Sequence, residues 1–207
     1  MRLRYFLDDP KVEELFSVLE KGCKPFKNEI GGGEVTYAYR GSKDIKKIWE
    51  IKVPRSDRKP KDMPVWMQKA LDDVFEKDWG WRPRLQGVFA TGDDDQASGY
   101  GEEYIFVPIG NFEYLWSTAI DDLFTELCIN NDFSYMHGDS KKLATYFKNE
   151  MGWADSYRDN DLKRAIWGGG EIMFKCKSYL MINRELSDVY DSWWYNNPDL
   201  LHKRESA

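Results

Sequence analysis

The chain has 207 residues, 42% hydrophobic and 32% charged, which suits one globular domain, or one domain with an added lobe, and argues against disorder. Its net charge of −6 argues against a general attraction to nucleic acid or anionic membrane, since that attraction comes from Lys and Arg neutralising phosphates. Three scattered cysteines (Cys23, Cys128 and Cys176) without C-x-x-C spacing, and only two histidines (His137 and His202), argue against a disulfide framework and most metal centres.

Aromatic residues reach 15%, with nine Trp, so a core of large flat side chains is expected. The start, MRLRYFLDDPK, holds no apolar run that reads as a signal peptide, and no stretch approaches the roughly 18 apolar residues of a membrane span. The expectation is a reduced, cytoplasmic, soluble protein with no membrane association and no metal.

In chain order, Asp9 before Pro10 reads as an N-cap, and KVEELFSVLEKG as a helix ending at Gly22. IGGGEVTYAYRG is a glycine-rich turn into a strand, Val35 to Tyr39, and DIKKIWEIKV is the next strand. DMPVWMQKALDDVFEKDWG is a helix with Val65, Trp66, Ala70, Val74 and Phe75 on one side. QGVFAT is a short strand, GDDDQASGYG a capped short helix and EEYIFVPIG a strong strand. STAIDDLFTELCIN reads as a helix capped by Ser117 or Thr118, and 139–165 as polar and mainly helical. GGGEIMFKCKSYLMI reads as two short strands around a Lys-Ser turn, and SDVYDSWWYNNP as a helix or an irregular tail. Short strands and helices without strict βαβ alternation indicate an α+β domain.

Three stretches carry candidate chemistry. VPRSDRKPKD leaves a strand and places Arg55 and Arg58 around Asp57, which is either a solvated turn or a rigid anion clamp. VFATGDDDQASGYG ends a strand at Thr91 and Gly92 and leads to Tyr100 and Tyr104. GGGEIMFKCKSYLMI opens a strand with Glu171. In this order the three resemble the motifs of the ADP-ribosyltransferase superfamily, in its cholera and pertussis toxin-like Arg-Ser-Glu branch. The first is similar to the Arg-x-Asp, Arg, Pro, acidic pattern, the second to the aromatic-Ser-Thr-Ser strand, and the third to the strand that begins with the catalytic Glu. EYIFVPIGNFEYLWSTAIDDL, between the second and third, resembles the central strand of that family. The match covers roughly residues 47 to 182.

The resemblance implies a split, mostly antiparallel β-sheet flanked by helices, with residues 1–45 as an N-terminal helical and strand extension and 46–207 as the catalytic domain. It implies NAD as substrate and a macromolecular acceptor, protein or nucleic acid. The nicotinamide–ribose bond breaks through an oxocarbenium-like centre, as in glycoside hydrolysis, and a fixed carboxylate stabilises that charge. Glu171 takes that role. Arg55 grips phosphate or ribose oxygens, with Asp57 orienting Arg55 or Arg58. Thr91 and the backbone at Gly92 hold Glu171 and the ribose, and Tyr100 or Tyr104 stacks on nicotinamide.

Each residue also has a plain structural use. Thr91 can cap the helix after it, Glu171 can be an exposed carboxylate at a strand start, and Tyr100 and Tyr104 can be core. Arg40 in YAYRGS is a rival for the first arginine, and His137 reads as a loop residue. Arginine-modifying members carry an acid two positions before the catalytic Glu, where this chain has Gly169, so arginine is disfavoured as acceptor and NAD hydrolysis is open. A reading from another class is a non-catalytic acidic protein that blocks a basic partner.

Overall fold

The computed structural model describes residues 10–44, 47–55, 63–130, 133, 136, 138–150 and 152–197. These form a mixed α and β protein whose sheet is mostly antiparallel. Contacts divide the chain into two compact units, one drawn from Met1–Val53, Asp93–Phe112 and Lys177–Ala207, the other from Pro54–Gly92 and Glu113–Cys176. Neither is a continuous stretch of sequence.

The first unit opens with α1 (Pro10–Gly22), which buries Val12, Leu15 and Leu19 at helical spacing. The residue expected to cap it, Asp9, lies outside the described residues. A second helix, α2 (Lys24–Ile30), follows at once with Pro25 in its first turn and buries Phe26 and Ile30. Strand β1 (Tyr39–Ser42) starts where the expected Val35–Tyr39 strand ends, because Gly41 and Ser42 find their ladder partners in Glu103 and Glu102. Strand β2 (Trp49–Lys52) pairs with the stretch Tyr179–Ile182.

The second unit contains α3 (Val65–Trp79), α4 (Pro83–Gln86) and β3 (Val88–Thr91). Val65 was expected on the buried side of α3 and is instead exposed; Met67, Leu71 and Phe75 carry that face. In the first unit, α5 (Asp94–Ser98) is capped by Asp93, which accepts from Gln96 N. Strand β4 (Glu102–Ser117) is 16 residues long and runs past the expected end near Gly110, which takes a positive φ of 76° within it.

In the second unit, the helix expected from Ser117 begins later. Ser117 Oγ accepts from Ala119 N and Ile120 N and closes a turn, while Asp122 caps the helical segment by accepting from Thr125 N. α6 (Ser140–Thr145) packs on α3. The short strand β5 (Tyr157–Arg158) pairs with Trp116 and Ser117, and α7 (Leu162–Gly168) follows.

Strand β6 (Glu171–Asn183) corrects the expectation of two strands around Lys177–Ser178, since it is one strand of 13 residues. Its burial dips in the middle where its neighbour changes: Glu171–Phe174 pairs with β3, and Tyr179–Ile182 with β2. A polar dip there marks a change of partner, not a turn. α8 (Ser187–Trp194) closes the first unit, packs on α1 and carries an aromatic cluster of Tyr190, Trp193 and Trp194.

Among the described residues, no helix is long and apolar enough to cross a membrane.

Candidate functional site

In the second unit, β3 and the start of β6 place Thr91 directly opposite Glu171. Side chains of an opposed pair share a face, and positions two apart share it again, so Phe89, Thr91, Glu171 and Met173 lie on one side. Val88, Ala90, Ile172 and Phe174 take the other side and are all core, as is Met173 on the first side. Both sides are thus largely buried, and the register sets the two polar residues opposite each other.

Thr91 is not a helix cap, since Asp93 does that work. Its hydroxyl donates to Gly169 O at 2.5 Å and ties the strand end to the glycine turn that precedes Glu171. Gly169 itself closes α7 in the left-handed region, φ 75°, where a residue with a Cβ is disfavoured. Glu171 N donates to Asp121 O at 2.6 Å, so the backbone under the carboxylate is held from both sides.

Gly92 is needed for close approach. A Cβ there would sit 1.6 Å from Ile166 O, inside the backbone of α7. Gly92→Ala is expected to force strand and helix apart, with a loss on the order of 3 kcal/mol and a Tm lower by roughly 10 °C. A melt within 2–3 °C of wild type, roughly the shift that 1 kcal/mol gives in a chain of this size, would show that α7 yields easily.

The guanidinium that meets Glu171 belongs to Arg84, which the sequence reading passed over. Arg84 Nη1 donates to Glu171 Oε1 at 3.1 Å, with the two side chains only 11% and 14% exposed. The Arg84 guanidinium carbon lies 5.1 Å from the ring centre of Phe89, on the same face as Thr91. Arg84 N, an orphan donor in the first turn of α4, donates to Asp72 Oδ1 at 2.9 Å. Burial works against the Arg84 charge, but Glu171, Tyr157, Asp122 and Asp72 outweigh it and raise its pKa. Tyr157 is buried, packed edge-on against Phe75, and its phenol is pushed up by burial and by the Glu171 charge, so it stays protonated.

Asp72 is 3% exposed, and its carboxyl is raised from 3.8 to about 6, by burial first, with the Arg84 N–H and charge pulling it back. A carboxyl whose folded pKa lies above its unfolded one favours the fold when protonated, and that contribution disappears as pH rises from about 4 to about 6. Asp72→Asn keeps an acceptor for Arg84 N and removes the buried charge. It should stabilise the protein at pH 7.5 by on the order of 2–3 kcal/mol, with the advantage gone below pH 4. Denaturation curves at the two pH values check this, and an Asn variant less stable at pH 7.5 would show that the charge itself is needed by Arg84.

The remaining candidates are placed as follows. Arg55 is exposed, just past β2, and Asp57, Arg58 and His137 lie outside the described residues. Tyr100 is exposed after α5, in the first unit. Tyr104 is buried there and donates its hydroxyl to Glu102 Oε2 at 2.9 Å, which is a packing role. Arg40, opposite Tyr104 on β1, is hydrogen-bonded to Tyr179, and burial lowers its pKa. Thr91, Gly92 and Glu171 are thus neighbours on one strand pair and its glycine turn, with Arg84 paired to Glu171.

No family model, no characterised protein and no solved structure matches the chain.

Proposed function

We propose that the chain is an NAD-dependent mono-ADP-ribosyltransferase that breaks the nicotinamide–ribose bond and passes ADP-ribose to a macromolecular acceptor. The observation that supports this is the Thr91–Glu171 pair: a hydroxyl and a carboxylate opposed across two antiparallel strands, fixed by a glycine turn. A carboxylate set this rigidly does not reorganise when positive charge develops on the ribose, which is what electrostatic catalysis needs. Arg55, with Asp57 and Arg58, is the proposed clamp on the dinucleotide. Water in place of the acceptor gives NAD hydrolysis by the same bond cleavage.

The test is incubation with adenylate-labelled NAD, with and without cell extract, following nicotinamide release and label on macromolecules. Release in either arm supports the reading, and label in the extract arm identifies the acceptor class. No release in either arm overturns it. Because Gly169 offers no carboxylate beside the acceptor position, transfer to agmatine is expected to stay at background. Rapid agmatine labelling would show that another side chain activates the acceptor.

One observation favours a second reading, an acidic binding protein without catalysis. Glu171 already has a guanidinium on it, and a nearly buried ion pair is also a means of fastening α4 to β6. The two readings differ in nicotinamide release.

A further inference from the structure

Strand β2 is an end strand: among the described residues it pairs with β6 alone. Its hydrogen-bond phase says what the open edge offers. Asn183 N donates to Ile48 O at 2.8 Å, one step beyond the ladder in which Trp49 faces Ile182. Hydrogen-bonded and non-hydrogen-bonded residues alternate along an antiparallel pair. Glu50 and Lys52 therefore bond to β6, while Trp49, Ile51 and Val53 turn their N–H and C=O groups outward. Among the described residues, no backbone bond outside the ladder reaches those groups. Ile51 and Val53 are also 46% and 71% exposed. An open edge with apolar side chains is a template for strand addition.

We propose that β2 pairs with β2 of a second copy of this chain, antiparallel and centred on Ile51. The strand is self-complementary about that residue. With Ile51 on Ile51, Glu50 of each copy faces Lys52 of the other, and Trp49 faces Val53. The outward-turned residues then meet one another, so they form the hydrogen-bonded pairs. Glu50 and Lys52 form the non-hydrogen-bonded pairs, where side chains lie closest and opposite charges attract. Centring the pair on Glu50 or on Lys52 would also satisfy the backbone, but it would set like charges face to face. Within its own chain Glu50 has only a loose contact to Lys47, at 3.9 Å, so it is free to turn to Lys52 of the second copy. Trp49, Ile51 and Val53 share one face, and across the two-fold axis they become one apolar stripe that covers Ile51 and Val53. The pairing is independent of the transferase reading.

The experiment is analytical ultracentrifugation of the full chain from about 5 to about 500 μM, the range suited to a short interface. Wild type should pass from monomer to dimer with concentration. Lys52→Glu turns both attractive pairs repulsive and should weaken the dimer about tenfold or more. Glu50→Lys combined with Lys52→Glu restores opposite charges across the axis and should restore the dimer. Ile51→Pro deletes an outward N–H that β6 does not use and should abolish dimerisation. Thermal melts check each variant. Should Ile51→Pro fail to fold, the charge reversal and its swap still decide. A wild type that stays monomeric overturns the proposal and leaves the edge to a strand of another protein. A dimer indifferent to Lys52→Glu overturns it too, and so does a swap that fails to restore the dimer, since the pairing would then use another surface or another register.

Discussion

Glu171→Gln is expected to lower nicotinamide release by roughly 100- to 1000-fold, or about 3–4 kcal/mol of transition-state stabilisation. The substitution keeps the shape of the side chain and an oxygen that can accept from Arg84 Nη1. It removes only the charge. The oxocarbenium-like charge exists in the transition state and not in bound NAD, so NAD affinity should not weaken. Turnover and NAD affinity are measured separately, with thermal melts to check the fold. A turnover near that of wild type would sink the transferase assignment and leave the acidic binding protein in front. A parallel fall in affinity would mean that Glu171 binds the ground state, which is a different role.

How much of this site could be read in the sequence depends on the residue. Thr91 and Glu171 were legible through the motif resemblance, a strand ending in Thr-Gly and a strand opening with Glu after a glycine run, and the ladder brings them face to face. Arg84 was not legible. In GWRPRLQG an arginine after proline looks like a solvated turn, and nothing local says that Phe89 and Glu171 will cover it. A signal did exist one helix earlier. Gln68, Leu71, Asp72 and Phe75 stand at helical spacing on one stripe, and all four are buried. A carboxylate on an apolar stripe needs a partner, and its partner is the backbone of Arg84. The continuous β6 was missed for a related reason. Its Lys-Ser step looks like a turn because burial drops there, but the drop reflects a change of neighbouring strand, which is long-range information. The late helix start at Asp122 is subtler. Ser117 and Asp122 are both good caps, and only the extension of β4 through Ser117 decides between them.

Arg84→Met should be the most damaging single change at the ion pair, and the reason bears on what the pair is for. Removing one member of a nearly buried pair strips the other charge of that partner, which costs about 3 kcal/mol, and up to about 5 when burial is complete. Arg84 and Glu171 retain 11% and 14% exposure, so the lower figure applies. Met keeps the apolar stem against Phe89, so lost packing contributes little. Arg84→Met with Glu171→Met removes both charges and should return to within about 1 kcal/mol of wild type, since a well-packed apolar pair often replaces a buried ion pair without loss. Denaturant unfolding of the two singles and the double, closed as a cycle, gives the coupling energy. A coupling near zero, with Arg84→Met itself mild, would mean that solvent screens the contact and that Arg84 constrains Glu171 weakly. A strong coupling with a stable double variant would mean that the fold does not need the charges. That outcome would favour the proposed chemical role of the carboxylate opposite Thr91 over a purely structural one.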